Sequence, residues 1–234
     1  IIDADFVRDI EARELVILDE NGVTSYRPFE KTGTAKKQSR FCVFEYIYFA
    51  RPDSFMEGHS VYEVRKRIGM QLAREAHVEA DLVCPVPDSG VPAAIGYAAQ
   101  SGLPFELGII RNHYVGRTFI EPTDNIRHLG VRLKHNANRA MLDGKRVILI
   151  DDSIVRGTTS TKIVEMVRQA GAKEVHMRIS SPPTKFSCFY GIDTPEKEKL
   201  MAHKYSVAEM AKLIGADSLA FISLDGLYRA VGEQ

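Results

Sequence analysis

Val147 to Thr159 reads VILIDDSIVRGTT, and this stretch decides the fold. Its four apolar residues, Val147 to Ile150, predict a buried strand, and their largely β-branched character suits the middle of a parallel sheet. Asp151 and Asp152 follow at once. Ser153 to Gly157 predicts a short loop opening into a helix, because Ile163, Met166, Val167 and Ala170 recur at helical spacing. Gly171 suits the residue that ends that helix. A strand, a tight loop and a helix in this order place the loop where open parallel sheets bind ligands, beyond the carboxyl ends of the strands.

The residues of the loop define the chemistry. Ser153 to Thr159 aims several backbone N–H groups at one place, Gly157 allows close approach, and Thr158 and Thr159 add hydroxyl donors. With the positive end of a helix dipole behind it, the loop is a cradle for a phosphate monoester. Asp151 and Asp152 would repel that phosphate on contact; they suit a sugar diol, a hydrated Mg²⁺, or both. The two sites side by side describe a ribose 5-phosphate. A lone Asp pair would read as a helix cap beside a loop carboxylate, but here the whole string has to be explained. No GxxxxGK[ST] motif occurs, which disfavours a P-loop nucleotidase.

Bulk properties set the frame. The 234 residues suffice for one large domain or two small ones with a sizeable core. Lys and Arg balance Asp and Glu at 31 each, so charge gives no reason to expect a nucleic-acid or membrane partner. No apolar run approaches a membrane span and no signal peptide is visible. Cys42, Cys84 and Cys188 do not make a disulfide framework, and a reducing cytoplasm is expected. The chain begins at Ile1 without a methionine, as a fragment or a processed product would.

Outward from the central stretch, Glu14–Leu18 and Val23–Tyr26 flank Asn21-Gly22, a hairpin signal. Residues 30–40 are polar and basic and read as a linker. Cys42–Phe49 predicts a dense aromatic strand, with Phe44, Tyr46, Tyr48 and Phe49 mostly in the core. Ser60–Ala76 predicts a helix, with Ser60 and Glu63 as a capping box. Leu82–Val86 predicts a second buried strand, followed by a loop at Pro87-Asp88-Ser89-Gly90 and a helix through Ala98. Asp88, Ser89 and Gly90 lie where a second anionic group could meet backbone amides, and an ordinary helix cap explains them equally well. Phe105–Ile110 predicts another strand. From Arg111 to Arg139 there is no apolar period but there are six cations, Arg111, Arg117, Arg127, Arg132, Lys134 and Arg139. That length and charge fit a flexible lid over an anionic leaving group, or a solvated loop. Asp143-Gly144 turns the chain into the central strand; Glu174–Ile179 and Leu219–Ile222 are later strands, and Ser206 and Glu209 cap a short helix ended by Gly215.

The strand–DDS–GTT string resembles the phosphoribosylpyrophosphate motif of type I phosphoribosyltransferases. CVFEYIYFARPDS (42–54), VCPVPDSG (83–90), NHYVGRTFIEPT (112–123) and KHNANRA (134–140) narrow the resemblance to the glutamine phosphoribosylpyrophosphate amidotransferases, over nearly the whole chain. The resemblance implies an α/β type I phosphoribosyltransferase fold, a mainly parallel sheet flanked by helices with a flexible lid loop. It divides the chain into a remnant of an upstream glutaminase domain plus linker, 1–40, and a transferase domain, 41–234. It implies attack of ammonia on C1 of phosphoribosylpyrophosphate, giving 5-phosphoribosylamine and pyrophosphate, the first committed step of purine synthesis. Ser153, Arg156, Gly157, Thr158 and Thr159 would hold the 5-phosphate. Asp151 and Asp152 would hold the ribose hydroxyls and Mg²⁺, with Ser89 as a further metal-side contact. Asp88 and Ser89 would face the pyrophosphate, and Arg117 and Lys134 would close on it as catalytic cations. One or two of the tyrosines near Tyr46 would line a route for ammonia. Ammonia itself would come from glutamine hydrolysis in an N-terminal glutaminase domain, and purine nucleotides as inhibitors and a homo-oligomer are also implied.

One branch of that family holds a 4Fe–4S cluster on four cysteines. Cys42 and Cys188 match two of those positions, and the other pair lies just beyond the equivalent of Gln234. A cluster of this kind takes four thiolates, so none is expected in this chain as it stands. Two alternatives compete with the amidotransferase reading. A salvage phosphoribosyltransferase would turn over a nucleobase. A non-catalytic nucleotide sensor of the same fold would often lack the acid pair, which is intact here.

Overall fold

The computed structural model describes residues 5, 7–11, 13–28, 41–112 and 135–232. Two compact units span Ile1–Cys42 and Val43–Gln234. In the first, β1 (Leu15–Asp19) and β2 (Gly22–Tyr26) pair antiparallel, with Leu15 opposite Tyr26 and Asp19 opposite Gly22. The two-residue turn is therefore Glu20-Asn21, one position earlier than the Asn-Gly signal. The Asp19 carboxylate accepts the Asn21 N–H at 2.8 Å, and Gly22 takes a φ of +117°. The linker read at residues 30–40 lies outside the described residues.

The second unit opens with a departure from expectation. Glu45–Phe49 is a π-helical turn and not a strand, closed by the Ala50 N–H donating to the Glu45 carbonyl at 3.1 Å. Arg65 supplies the reason, since its guanidinium donates to the carbonyls of Tyr46 and Ala50 at 2.7 and 2.8 Å, and coiling brings both within its reach. Of the four aromatics assigned mostly to the core, Tyr46 is buried and donates to the Met56 carbonyl at 2.7 Å, Phe44 is half-buried, and Tyr48 and Phe49 are exposed.

Helix α1 (Val61–Glu75) follows a two-residue ladder, with Ser60 as its cap and Val61, Val64, Ile68 and Leu72 on the buried face. Strand β3 (Leu82–Pro85) leads through 86–90 into α2 (Val91–Ser101), which runs three residues past the expected end to Gly102 at φ +74°. Helices α1 and α2 meet backbone to backbone. A Cβ on Gly69 would lie 1.8 Å from the Ala93 carbonyl oxygen, and one on Gly96 would lie 2.0 Å from that of Lys66. The expected strand 105–110 is shorter. Phe105 bridges Val83, the Gly108 N–H folds back to the Glu106 carbonyl at 3.0 Å, and β4 is confined to Ile109–Arg111, paired antiparallel with β5 (His135–Ala137).

Strand β6 (Arg146–Asp151) runs one residue past the apolar stretch at each end. It leads into α3 (Thr158–Gln169); β7 (Glu174–Ile179), α4 (Val207–Ile214), β8 (Ser218–Phe221) and α5 (Leu224–Val231) follow. The sheet is wholly parallel, in the order β8-β7-β6-β3, so β6 is interior. Alternate residues serve the two faces. Val147, Leu149, Val175 and Met177 join a core with Ile163 and Val167 of α3 and Met210 and Ile214 of α4. The opposite face meets α1 and α2, where Arg178 donates to the Ala76 carbonyl at 2.7 Å and Tyr97 is fully buried. A parallel sheet with helices against both faces is the architecture that the resemblance implied. The capping box on Ser206 and Glu209 is present in full at α4, and Gly215 ends that helix at φ +77°. Helix α5 was not foreseen, although Ser223 caps it by accepting the Gly226 N–H at 2.9 Å.

Candidate functional site

Because β6 is interior, two neighbouring loops converge on its carboxyl end. The Val86 N–H donates to the Ile150 carbonyl at 2.8 Å, which brings the 86–90 loop alongside. The Ser180 N–H donates to the Asp151 carbonyl at 2.9 Å, which fixes the end of β7 on the other side. Gly90 is required at this junction, since a Cβ there would lie 2.3 Å from the Ile150 carbonyl oxygen.

Asp151 and Asp152 sit at the centre of this convergence, each 7% exposed. Ser89 donates to one oxygen of Asp152 and Ser153 to the other, both at 2.5 Å, and the Asp152 N–H donates to the Asp151 carboxylate at 2.9 Å. Burial, and then the charge of Asp152, push the Asp151 carboxyl well above the usual aspartate range. Burial also raises Asp152, against the pull of Ser153, Ser89 and the Arg65 guanidinium. Two carboxylates this close and this buried are costly unless a cation or a hydrogen-bonding ligand meets them. The donor set, two carboxylates with the Ser89 hydroxyl between loops, is hard oxygen of the kind Mg²⁺ prefers.

The loop after the pair takes the shape the sequence implied. Gly157 adopts φ +82° and stands at the cap of α3, and a Cβ there would lie 2.4 Å from the Met201 sulfur. Thr158 and Thr159 begin the helix, whose first amides have no intrahelical partner. Arg156 and Thr158 are exposed, and Ser153 and Thr159 half-buried. Arg156, Gly157 and Thr158 line a groove of about 1160 Å³ together with Lys162, Met166 and Tyr205. The acid pair does not line that groove. Asp88 is exposed and ion-paired to Arg111, at the end of β4. Thus Asp151, Asp152, Ser153 and Ser89 come together, Arg156, Gly157, Thr158 and Thr159 sit next to them, and Asp88 turns outward. Arg117 and Lys134 lie outside the described residues.

The residues missed from the sequence are Arg65, whose guanidinium acts on Asp152, and Ser180, whose hydroxyl reaches the Asp151 carbonyl at 3.2 Å. A cation on the apolar face of α1, between Val64 and Ile68, was the available signal for Arg65.

The three cysteines are unpaired thiols. Burial pushes the Cys84 thiol up to about 12, whereas backbone amides led by that of Tyr190 lower Cys188. Three cysteines, one of them buried on β3, do not fit the four-thiolate requirement of a 4Fe–4S cluster. Among the described residues, no group of three or more His, Cys, Asp or Glu side chains is placed to hold a metal ion. Nor is any described helix long and apolar enough to cross a membrane.

Comparison with known proteins gives the family. The profile of the phosphoribosyl transferase domain family matches residues 55–181. An amidophosphoribosyltransferase of Rhizobium etli is 60% identical over 233 residues, 99% of this chain and 47% of that protein. Amidophosphoribosyltransferase 1 of Arabidopsis thaliana, a chloroplastic protein, is 52% identical over 233 residues, 100% of this chain and 40% of that one. Among solved structures, the glutamine phosphoribosylpyrophosphate amidotransferase of B. subtilis, complexed with ADP and GMP, superposes with a TM-score of 0.83 at 51% identity. That match covers 97% of this chain and 49% of the B. subtilis chain. The chain spans about half the length of the curated relatives it matches.

Proposed function

The chain belongs to the phosphoribosyl transferase family, and from that premise we propose that it carries the transferase half of an amidophosphoribosyltransferase. The substrates are phosphoribosylpyrophosphate and ammonia, and the products 5-phosphoribosylamine and pyrophosphate. The observation that carries this reading is the buried acid pair, bracketed by Ser89 and Ser153, next to the glycine-opened helix cap.

The residues divide the work. The amides and hydroxyls of Ser153, Gly157, Thr158 and Thr159, with the Arg156 guanidinium, anchor the 5-phosphate. Asp151 and Asp152 accept from the ribose hydroxyls and so orient C1. Mg²⁺, held by Asp151, Asp152 and Ser89, would neutralise charge on the departing pyrophosphate. Arg117 and Lys134 close over that leaving group, and exclusion of water protects the cationic sugar. The nitrogen lone pair of ammonia forms the bond to C1 as the C1–O bond to pyrophosphate breaks, and the nitrogen then sheds a proton to solvent. Ammonia is itself the nucleophile, so no strong general base is needed.

In the whole protein, residues 1–40 continue an upstream glutaminase domain that supplies the ammonia, in a reducing cytoplasm. Purine nucleotides inhibit, in keeping with the ADP and GMP on the B. subtilis relative, and the working unit is a homo-oligomer. The test is pyrophosphate release from phosphoribosylpyrophosphate and Mg²⁺, with ammonium chloride, glutamine or a panel of nucleobases as acceptor. Turnover is expected with ammonium alone. Brisk glutamine-dependent turnover would refute the assignment of this chain to the transferase half, and turnover of a nucleobase would reassign it to salvage.

A further inference from the structure

A residue from a separate part of the chain grips the phosphate loop at two points. Met201 opens the short helix Met201–Lys204 and is 7% exposed. Its N–H donates to the Val155 carbonyl at 2.8 Å. Its side chain packs on Gly157, where a Cβ would overlap the thioether sulfur and meet the methyl carbon at 3.2 Å. Arg156, between these two points in sequence, is exposed. Met201 also shares a core cluster with the buried Ile154, at the start of the same loop. The Gly157 carbonyl is tied to α3, accepting from the Thr161 N–H at 2.9 Å and from the Thr161 hydroxyl at 3.0 Å.

We infer that Met201 is a positioning residue for the 5-phosphate site, whose thioether fills the space of the side chain that residue 157 lacks and holds its main chain at φ +82°. The inference deepens the proposed anchoring of the 5-phosphate and rests on it. Glycine loses more conformational freedom on ordering than any other residue. A loop that orders only when ligand arrives gives up affinity to that entropy, and a loop already held does not. Gly157 is bonded through its carbonyl but has no side chain of its own to pack. Met201 supplies the packing, and methionine suits the task because its unbranched chain fills irregular gaps. With Val155 held by a hydrogen bond and Gly157 by the thioether, the peptide groups between them keep one direction. The amides then meet a phosphate already oriented. Met201 acts through the loop backbone and not on the reacting atoms.

The test is calorimetry on the full 234-residue chain, with ribose 5-phosphate as the probe of the phosphate loop and Mg²⁺-pyrophosphate as the probe of the acid-pair side. In Met201→Ala, ribose 5-phosphate is expected to bind about tenfold more weakly, and pyrophosphate within about twofold of the parent chain. In ammonium-dependent turnover the same variant should raise KM for phosphoribosylpyrophosphate with little change in kcat. Met201→Leu, which restores carbon near the position of the sulfur, should recover most of the lost affinity. A Leu variant as weak as the Ala variant overturns the packing role. A loss shared equally by the two probes also overturns the inference, because it marks general damage and not a positioned loop. So does unchanged ribose 5-phosphate binding in Met201→Ala. If Met201→Ala does not fold, Met201→Val takes its place under the same criteria, since it too lacks the atoms over Gly157 and leaves a smaller void. A parent chain that does not bind ribose 5-phosphate instead brings down the reading of the phosphate loop, and the inference with it.

Discussion

Asp152→Asn is expected to weaken magnesium-dependent binding of phosphoribosylpyrophosphate about 100-fold in calorimetry, close to 2.7 kcal/mol, while raising the melting temperature of the ligand-free chain. The two effects share one cause. In the free chain Asp152 is a buried carboxylate next to another, and both titrate above the ordinary aspartate value of 3.8. An acid whose folded pKa is raised costs nothing below its unfolded pKa, where both states are protonated. The cost grows as pH climbs from there through the shifted value, and it is complete above it. The stability gained by Asn should accordingly vanish near pH 3 to 4, around the ordinary value of 3.8, and widen toward neutrality. Asn keeps the shape and can still accept from one of Ser89 and Ser153, so a collapsed site is not the explanation for lost affinity. What disappears is the charge that faces the metal-bound diphosphate. Equal affinity in parent and variant would remove Asp152 from the metal side of the site. A melting temperature that falls at neutral pH would show that the pair is not under strain when empty.

The second large effect concerns stability. Gly69→Ala is expected to lower stability by about 3 kcal/mol, a loss of about 6–12 °C in melting temperature for a chain of this size. Helix propensity alone predicts the opposite sign, a gain of about 1 kcal/mol for replacing glycine inside a helix. Sterics should win, because the added carbon would lie 1.8 Å from the Ala93 carbonyl oxygen and within 2.9 Å of its Cα, backbone atoms that move only if α2 moves. Since α2 starts two residues after Ser89, with Gly90 as its cap, the displacement should also loosen the Ser89 bond to Asp152. Thermal scans by circular dichroism check the first part, and Mg²⁺-dependent binding checks the second. A stabilised variant would mean that the two helices have room to part.

The parts of the fold read correctly from sequence are those where local and global signals agree. Val147–Ile150 and Leu82–Val86 are apolar runs and Glu174–Ile179 alternates polar with apolar residues; each supplies a parallel strand. The caps on Ser60 and Ser206 mark true helix starts. The failures occur where a distant partner overrides the local pattern. Cys42–Phe49 has the composition of a strand, but Arg65, some twenty positions away, coils it by drawing in its carbonyls. Phe105–Ile110 has strand-like residues, but Gly108 packs against Leu142 and Cys84, and the chain turns there. At the site, the buried acid pair and the glycine-opened turn into α3 were legible because backbone geometry and side-chain chemistry are adjacent in one string. Ser89 was legible only as one of two readings, since its bond to Asp152 spans 63 positions. The outward turn of Asp88 toward Arg111 could not be read at all from a loop whose direction is set by the strand beside it.

The burial of Cys84 has a practical consequence. A thiol held near 12 is almost wholly protonated at neutral pH, and alkylating reagents attack thiolates. A maleimide dye added to the folded chain should therefore count two cysteines, the exposed Cys42 and the half-buried Cys188. Cys42 closes the first compact unit and Cys188 belongs to the second. The native sequence thus already carries one labelling position on each unit, ready for spectroscopic distance measurements between them without any engineered change.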